Sequence, residues 1–413
     1  MIFLSNRDGG SLSSSSSNSN PSYDDWSFFS ENTTRFMVPS NTIKEKEPSK
    51  FPVFFNPAAK FNRDVSIQIY KTFIESKKNL ENSFVDTMTG SGIRGLRVAN
   101  EITSINKIIF NDINPFSIQI AKINSILNNV YSKCNFFNKE TCNFLSTEFT
   151  FEKRATIIDI DPFGTPAPFL DCVLRSVENG GLISVTATDT AVLCGVYPKV
   201  CYRKYYGNSL RTKYSLEIGA RLLLTLISFI ASRMDLSVHP IFSHGYRNYI
   251  RVYCKIVKSN FLANKLQEKI GFVIHCFNCG NRYLINKVNQ ISANCDYCNN
   301  KVTTGGPIWI SKIFDKDLIS AITKSVNTTS NENDSLNYDY VKEFFKLSLT
   351  ELDEYPYFYI NDELGKIMKK NVSSLVDISE LLKINGYLYS KTIFASNGFK
   401  TNASIKDLKD LLL

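Results

Sequence analysis

The stretch Asp86-Thr87-Met88-Thr89-Gly90-Ser91-Gly92-Ile93-Arg94-Gly95 decides the reading of the fold. Asn82 to Thr87 has the apolar run of a strand, and Gly92 to Ile102 has helical spacing. Gly90, Gly92 and Gly95 therefore form a GxGxxG turn between a strand and a helix, where the missing side chains let the backbone bend tightly and approach a ligand. That motif alone is weak evidence. A second strand-like run, Lys107 to Phe110, strengthens it, because it leads into Asp112, 22 residues after Gly90. A carboxylate at that strand tip accepts hydrogen bonds from both hydroxyls of a ribose, although the string Asn-Asp-Ile-Asn-Pro also reads as a helix cap. Neither feature says which nucleoside is bound.

The alternation continues downstream. Ser117 to Asn128 reads as a helix, Ala155 to Ile160 as a buried strand and Pro168 to Glu178 as a helix. Leu182 to Ala187 reads as another strand and Tyr214 to Met234 as a long helix. Strands alternating with helices predict an α/β domain, a parallel sheet covered on both faces. After Ile256 the pattern breaks. A short helix, Leu262 to Lys269, leads into two cysteine pairs, followed by helical stretches, a Ser/Asn-rich linker from Ser325 to Leu336, and a mixed segment with strand-like Tyr387 to Phe394. Residues 1–50 are rich in Ser and Asn with few aliphatics, a composition that predicts disorder. The chain thus divides into 1–50, 51–258 and 259–413.

With 48 Lys and Arg against 39 Asp and Glu, the formal charge of +9 suits a polyanionic partner. Four of the ten cysteines sit in two Cys-x-x-Cys pairs and six are scattered, which reads as a reducing compartment with one metal site. Met1 to Leu4 is too short an apolar run for a secretory signal. The longest apolar run, Leu222 to Ala231, lies between Arg221 and Arg233 and falls short of the roughly 20 residues that cross a bilayer. No membrane and no obligate protein partner are expected.

Asp161-Pro162-Phe163-Gly164 ends the strand at Ile160, on the edge where ligands bind in a parallel sheet. The lone pair of an aryl amine is delocalised into its ring, so the nitrogen is a poor nucleophile. A carboxylate accepting its N–H raises the electron density on nitrogen and takes up the departing proton. Pro162 fixes the turn, and Phe163 can stack on a base. The Asp-Pro-aromatic shape resembles the signature of methyltransferases acting on exocyclic base nitrogens.

Cys276-x-x-Cys279 and Cys295-x-x-Cys298, 15 residues apart, each present two thiolates. Four sulfurs close a tetrahedral Zn²⁺ site with no open position, which makes the metal structural. Lys199 to Lys213 holds five basic and no acidic residues; Arg203, Lys204 and Arg211 can neutralise phosphates, and Tyr205, like Tyr202 and Tyr206, can stack. Asp189, after the Leu182 to Ala187 strand, either meets the base edge or caps a helix.

Together these blocks resemble the tRNA (guanine-N2)-dimethyltransferases, which modify guanine 26. The resemblance runs from about Phe51 to the C-terminus. It rests on Val53-Phe54-Phe55-Asn56-Pro57 with Asn62-Arg63-Asp64, on Thr89 to Arg94, and on Asp159 to Gly164. Further blocks are Thr188 to Leu193, Cys201 to Asn208, Gly305-Gly306-Pro307-Ile308-Trp309 and Gly398 to Ala403. It implies a Rossmann-like class I S-adenosylmethionine (SAM) methyltransferase domain plus a C-terminal α+β domain that has a zinc-ribbon-like four-cysteine site and binds tRNA. It also implies residue roles. Arg63, Arg94 and Asp112 contact SAM beside Gly90 and Gly92, the two arginines as partners of its carboxylate. Glu140 and Thr141 stand where the family usually has Asp-Ala near the adenine. Asp161 is the catalytic carboxylate, with Phe54 and Phe163 forming the guanine pocket. Thr392-Ile393-Phe394 departs from the usual Thr-His-Phe. The competing classes are a zinc-ribbon RNA-binding protein without activity and an adenine-N6 methyltransferase, which usually has a second Pro in place of Phe163. The expected location is intracellular: nucleus, cytoplasm or mitochondrion.

Overall fold

The computed structural model describes residues 26–40, 53–77, 81–246, 248–328, 335–370 and 372–412. It opens with an antiparallel hairpin, β1 (Trp26–Glu31) and β2 (Thr34–Pro39). This corrects the expectation of disorder across residues 1–50 for the part that is described; residues 1–25 and 41–50 lie outside the described residues. The physical reason is a small apolar face: Phe36 and Val38 bury against Phe55 and Ile93. Backbone groups of Arg35 and Met37 bond the side chains of Asn128 and Asn124. A Ser-rich composition hid a short amphipathic hairpin within it.

A seven-stranded sheet organises the rest. Its strands are β3 (Ser83–Asp86), β4 (Lys107–Asn111), β5 (Cys134–Phe137), β6 (Ala155–Ile160), β7 (Val177–Ala187), β8 (Leu236–Tyr246) and β9 (Tyr249–Lys258), in the order β5-β4-β3-β6-β7-β9-β8. The pairs from β5 to β7 are parallel, but β9 runs antiparallel to β7 and β8 antiparallel to β9. The all-parallel expectation fails at this edge because the last two strands join through a short turn rather than a crossover helix. Helix Lys60–Ser76, strand β5 and helix Thr141–Glu148 also went unread in the sequence. All six residues of β6 are buried, as a central parallel strand requires.

Gly92, at φ +81°, starts helix Ile93–Glu101 in a left-handed conformation. A Cβ on Gly95 would stand 2.4 Å from the Phe110 ring, so that glycine is what lets the helix lie close on β4. Helix Pro115–Leu127 is capped by Asn114, whose side chain accepts from Phe116 N–H. Asp112 is therefore not its cap.

The boundary at 258 separates sequence patterns rather than cores. Ile308, Trp309, Ile313, Phe314 and Phe345 belong to the same buried cluster as the sheet residues Ile157, Ile183 and Val252. Helix Ser215–Ser232, the one described helix long and apolar enough to cross a membrane, is 72% buried inside this core. Beyond β9 come a three-stranded sheet, β11 (Arg282–Ile285), β10 (Ile270–His275) and β12 (Thr303–Trp309), then helices Lys316–Thr328 and Ser335–Thr350. The predicted linker is helical at both ends, and residues 329–334 lie outside the described residues. A last sheet orders β13 (Tyr359–Ile360), β15 (Ala395–Lys400) and β14 (Ser390–Thr392). Of the strand expected over Tyr387 to Phe394 only Ser390–Thr392 forms, as β14, and Ile393 and Phe394 make the turn into β15.

A buried ionic joint ties the two halves together. Lys400 bonds Glu217 at 2.7 Å and Glu351 at 2.9 Å, with all three side chains fully buried. Glu217 also pairs with Arg221 at 2.9 Å, and Glu351 accepts from Thr392 and Ile393 N–H.

Candidate active site and metal centre

The carboxyl ends of β3, β4, β6 and β7 open into a cavity of about 680 Å³. It is lined by Phe54, Arg63, Gly90, Arg94, Asp112, Glu140, Thr141, Asp161 and Phe163. Among the predicted catalytic and cofactor positions, Gly92 alone is absent from the lining, since it turns the backbone behind it. Asn62, Asp86, Thr186 and Tyr249 line it too, and the sequence reading missed them as site residues.

The Gly-rich turn is held from two sides. Asp112 accepts from Gly90 N–H at 2.8 Å and from Asn114 N–H at 2.9 Å, and burial pushes its carboxyl up. The Phe54 carbonyl accepts from Ser91 N–H at 3.1 Å, so the segment before helix Lys60–Ser76 rests on the turn. Phe54 and Phe163 meet edge to face, with centroids 4.7 Å apart and Phe163 63% exposed. The perpendicular rings leave no parallel slot between them, and Phe163 presents its open face to the cavity.

Beneath Asp161 lies a buried lattice of charges. Arg94 bonds Asp161 Oδ2 at 2.6 Å, Asn62 at 3.1 Å and Ser66 at 3.0 Å. Arg251, fully buried, pairs with Asp159, which Tyr70 and Ser184 also bond. Burial raises Asp159, but Arg251 and Arg94 outweigh it and leave its carboxyl below the usual range. Asp86 lies beside Asp159 in register. Burial, reinforced by Asp159, pushes Asp86 up to about 8. Arg94 thus occupies Oδ2 of Asp161, and among the described residues no donor pairs with Oδ1, which can accept an N–H.

Arg63 lines the cavity with most of its hydrogen-bonding capacity already engaged. Its Nε and Nη2 fork is filled by Glu31 of β1, at 2.9 and 2.5 Å, and the Asn56 carbonyl takes two more bonds. A bidentate grip on a ligand carboxylate is therefore closed to it, and a single N–H remains. Glu31 also reaches Arg97 at 3.2 Å. Burial raises the Glu31 carboxyl, but Arg63, Arg97 and Lys60 together hold it below its ordinary value. No motif marks Glu31 in the sequence, because its partner stands 32 residues away.

The basic segment also needs correction. Helix Pro198–Tyr205 turns Cys201 and Tyr205 inward, one helical turn apart, and Tyr205 is fully buried, so it cannot stack on RNA. Arg203 and Arg211 are exposed, as are Tyr202 and Tyr206. Lys204 is half-buried on Asp189 at 3.3 Å. Asp189 stands at the N-cap position of helix Thr190–Leu193, where its carbonyl accepts from Val192 and Leu193 N–H but its side chain makes no capping bond, and it does not line the cavity.

Two of the scattered cysteines are joined. Helices Thr141–Glu148 and Leu170–Ser176 pack side by side and bring Cys142 and Cys172 into a disulfide, with Cα atoms 5.5 Å apart. Their separation of 30 residues concealed this pairing.

The four motif cysteines converge. The sulfurs of Cys276, Cys279, Cys295 and Cys298 lie within 4.8 Å of one another, with 276–298 at 3.5 Å and 279–295 at 3.7 Å. Bonds of about 2.3 Å to one tetrahedral Zn²⁺ give sulfur separations of about 3.8 Å, so the donor set fits that ion. Each knuckle closes the same way: Gly280 N–H bonds the Cys276 carbonyl and Asn299 N–H the Cys295 carbonyl, and both turn residues have positive φ. Asn278, Asn281 and Asn300 direct side-chain amides at the sulfurs.

A Rossmann-like sheet, a Gly-rich turn and a carboxylate-aromatic pair at one strand tip define a class I methyltransferase. The family described as N2,N2-dimethylguanosine tRNA methyltransferase matches residues 33–413, and the chain belongs to it. The tRNA (guanine(26)-N(2))-dimethyltransferase of Methanothermobacter thermautotrophicus is 34% identical over 369 residues, covering 89% of this chain and 94% of that one. That of Methanosphaera stadtmanae is 33% identical over 373 residues, covering 89% and 93%. The structure of Trm1 from Pyrococcus horikoshii with S-adenosyl-L-methionine superposes with a TM-score of 0.78 at 25% identity, over 93% of this chain and 99% of that one.

Proposed function

We propose that this protein methylates the exocyclic N2 of guanine 26 in tRNA, giving N2-methyl- and N2,N2-dimethylguanosine, with SAM as donor. One observation carries the reading: Asp161, Phe54 and Phe163 share a single cavity with the Gly90 turn and Asp112. Its size lies within the roughly 300–1,000 Å³ range of small-molecule sites. The relatives' names support the same substrate.

SAM, when bound, supplies an electrophilic methyl group. Asp112, Glu140 and Thr141 would hold its nucleoside, and the last N–H of Arg63 its carboxylate. Asp161 Oδ1 accepts an N–H of the guanine amine and takes its proton as the nitrogen attacks. Arg94 steadies that carboxylate through the other oxygen. Phe163 and Phe54 aim the base, while exposed Arg203 and Arg211 meet phosphates. An intracellular setting belongs to the same proposal, because the substrate is tRNA.

The test incubates protein, SAM and unmodified tRNA and identifies the product nucleosides. Methylguanosines at N2 are expected; methyladenosine alone would overturn the assignment. Asp161→Ala should lower turnover by about 10²-fold or more while SAM still binds in calorimetry. An active Asp161→Ala enzyme would remove the carboxylate from the mechanism.

A further inference from the structure

The loop bearing Phe163 has no regular secondary structure, yet it is tethered at successive points. Gly164 N–H donates to Thr188 Oγ1 at 2.6 Å, and the Gly164 carbonyl accepts from Thr188 and Asp189 N–H at 2.8 and 3.3 Å. One residue on, Thr165 Oγ1 lies 2.8 Å from the Tyr205 hydroxyl, which lies 2.6 Å from Asp189 Oδ1. A carboxylate only accepts, so the single proton of Tyr205 goes to Asp189, and Tyr205 must then accept from Thr165. The direction of the chain Thr165→Tyr205→Asp189 follows without ambiguity. Lys204 closes its far end on the other carboxylate oxygen at 3.3 Å.

Tyr205 and Lys204 end the helix whose outer side exposes Tyr202 and Arg203, with Tyr206 just beyond. One end of this hydrogen-bond chain therefore sits on the basic, aromatic surface, and the other sits on the loop that presents Phe163 to the cavity. Thr188, beside Asp189 in sequence, itself lines the cavity.

We infer that Tyr205 is a positioning residue that couples the RNA-facing helix Pro198–Tyr205 to the base-aiming Phe163 loop through Thr165 and Asp189. The inference rests on the methyltransferase reading above. Asp161 is held separately by Arg94, and the SAM-lining residues lie on other strands, so loss of the Tyr205 hydroxyl should misdirect the base and leave donor binding alone. Among the described residues Phe163 touches one other ring, Phe54, and the loop tethers are what fix its aim. Small misplacements of a reacting group cost rate steeply.

The experiment compares wild type, Tyr205→Phe, Thr165→Val, the double variant and Thr165→Ser, with tRNA and SAM. Tyr205→Phe keeps the buried ring. It should lower kcat about tenfold, a change of about 1.4 kcal/mol in the barrier, with SAM affinity and unfolding midpoint near wild type. Thr165→Val should also slow turnover, and the double variant should be no slower than Tyr205→Phe, which already breaks both the link to Thr165 and the link to Asp189. Thr165→Ser, which keeps the hydroxyl, should restore most of the lost rate. Unchanged kcat in Tyr205→Phe, additive single losses, or a loss traced to weaker SAM binding would overturn the coupling. A wild-type chain that left guanine unmethylated would overturn the methyltransferase reading and this inference with it. An active wild type with an unimpaired Tyr205→Phe would overturn this inference alone.

Discussion

Replacing Lys400 with Met removes the cation shared by Glu217 and Glu351 while filling a similar volume. All three side chains are fully buried. Glu217 keeps Arg221, and Glu351 keeps Thr392 and the Ile393 amide, so both carboxylates stay in place without their shared counter-charge. Leaving a buried charge uncompensated costs about 3–5 kcal/mol. Burial already raises the Glu351 carboxyl, with Lys400 opposing and Glu217 reinforcing. Without Lys400 its folded-state pKa rises further above the unfolded value. Such a group contributes stability that is present below the unfolded pKa and is lost as pH rises through the folded one. The deficit is therefore largest at neutral and alkaline pH and shrinks on acidification. Urea unfolding at a series of pH values reads it as a lower midpoint at unchanged slope. Adding Glu351→Gln to Lys400→Met should recover most of the loss, since Glu217 and Arg221 then remain as a neutral buried pair. The reasoning is refuted by a deficit under about 1 kcal/mol at neutral pH, the scale of an exposed pair, or by one that does not change with pH.

Three further outcomes follow from the same geometry. Glu31→Gln should lower stability by about 3 kcal/mol, because the buried Arg63 then loses its counter-charge and keeps only neutral oxygen acceptors, and should weaken SAM binding; unaltered affinity in calorimetry would show that Arg63 works without its brace. Asp86, raised to about 8, contributes stability at acid pH that is lost as pH climbs to about 8. Asp86→Asn should flatten that decline in urea midpoints and be the more stable protein in alkaline buffer. The purified chain should carry about one zinc, by elemental analysis. Chelation should lower the melting temperature, and an unchanged melt after complete zinc removal would deny the ion a structural role.

The elements legible in the sequence are those whose partners lie close along the chain. The Gly90–Gly95 turn needs only the strand before it and the helix after it, and Asp161-Pro162-Phe163-Gly164 needs only the tip of β6. The two knuckles at Cys276 and Cys295 close within six residues each. Where direction in space mattered, composition misled. The segment Lys199 to Lys213 announced its charge, but the eight-residue helix within it carries too few apolar residues to show which side faces inward, and Tyr205 went to the core. The Ser-rich N-terminus likewise concealed a hairpin whose apolar face is only two buried side chains wide.

By itself, then, the sequence determined the chemistry available and the local turns that present it, because short-range sterics and spacing are written into consecutive residues. The tertiary structure alone decided which charges meet: Glu31 with Arg63, Arg251 with Asp159 and Lys400 with two glutamates; it also decided that Cys142 meets Cys172. Those pairings join residues tens to hundreds of positions apart. They form only where packing of the common core removes water and leaves each buried charge no other partner.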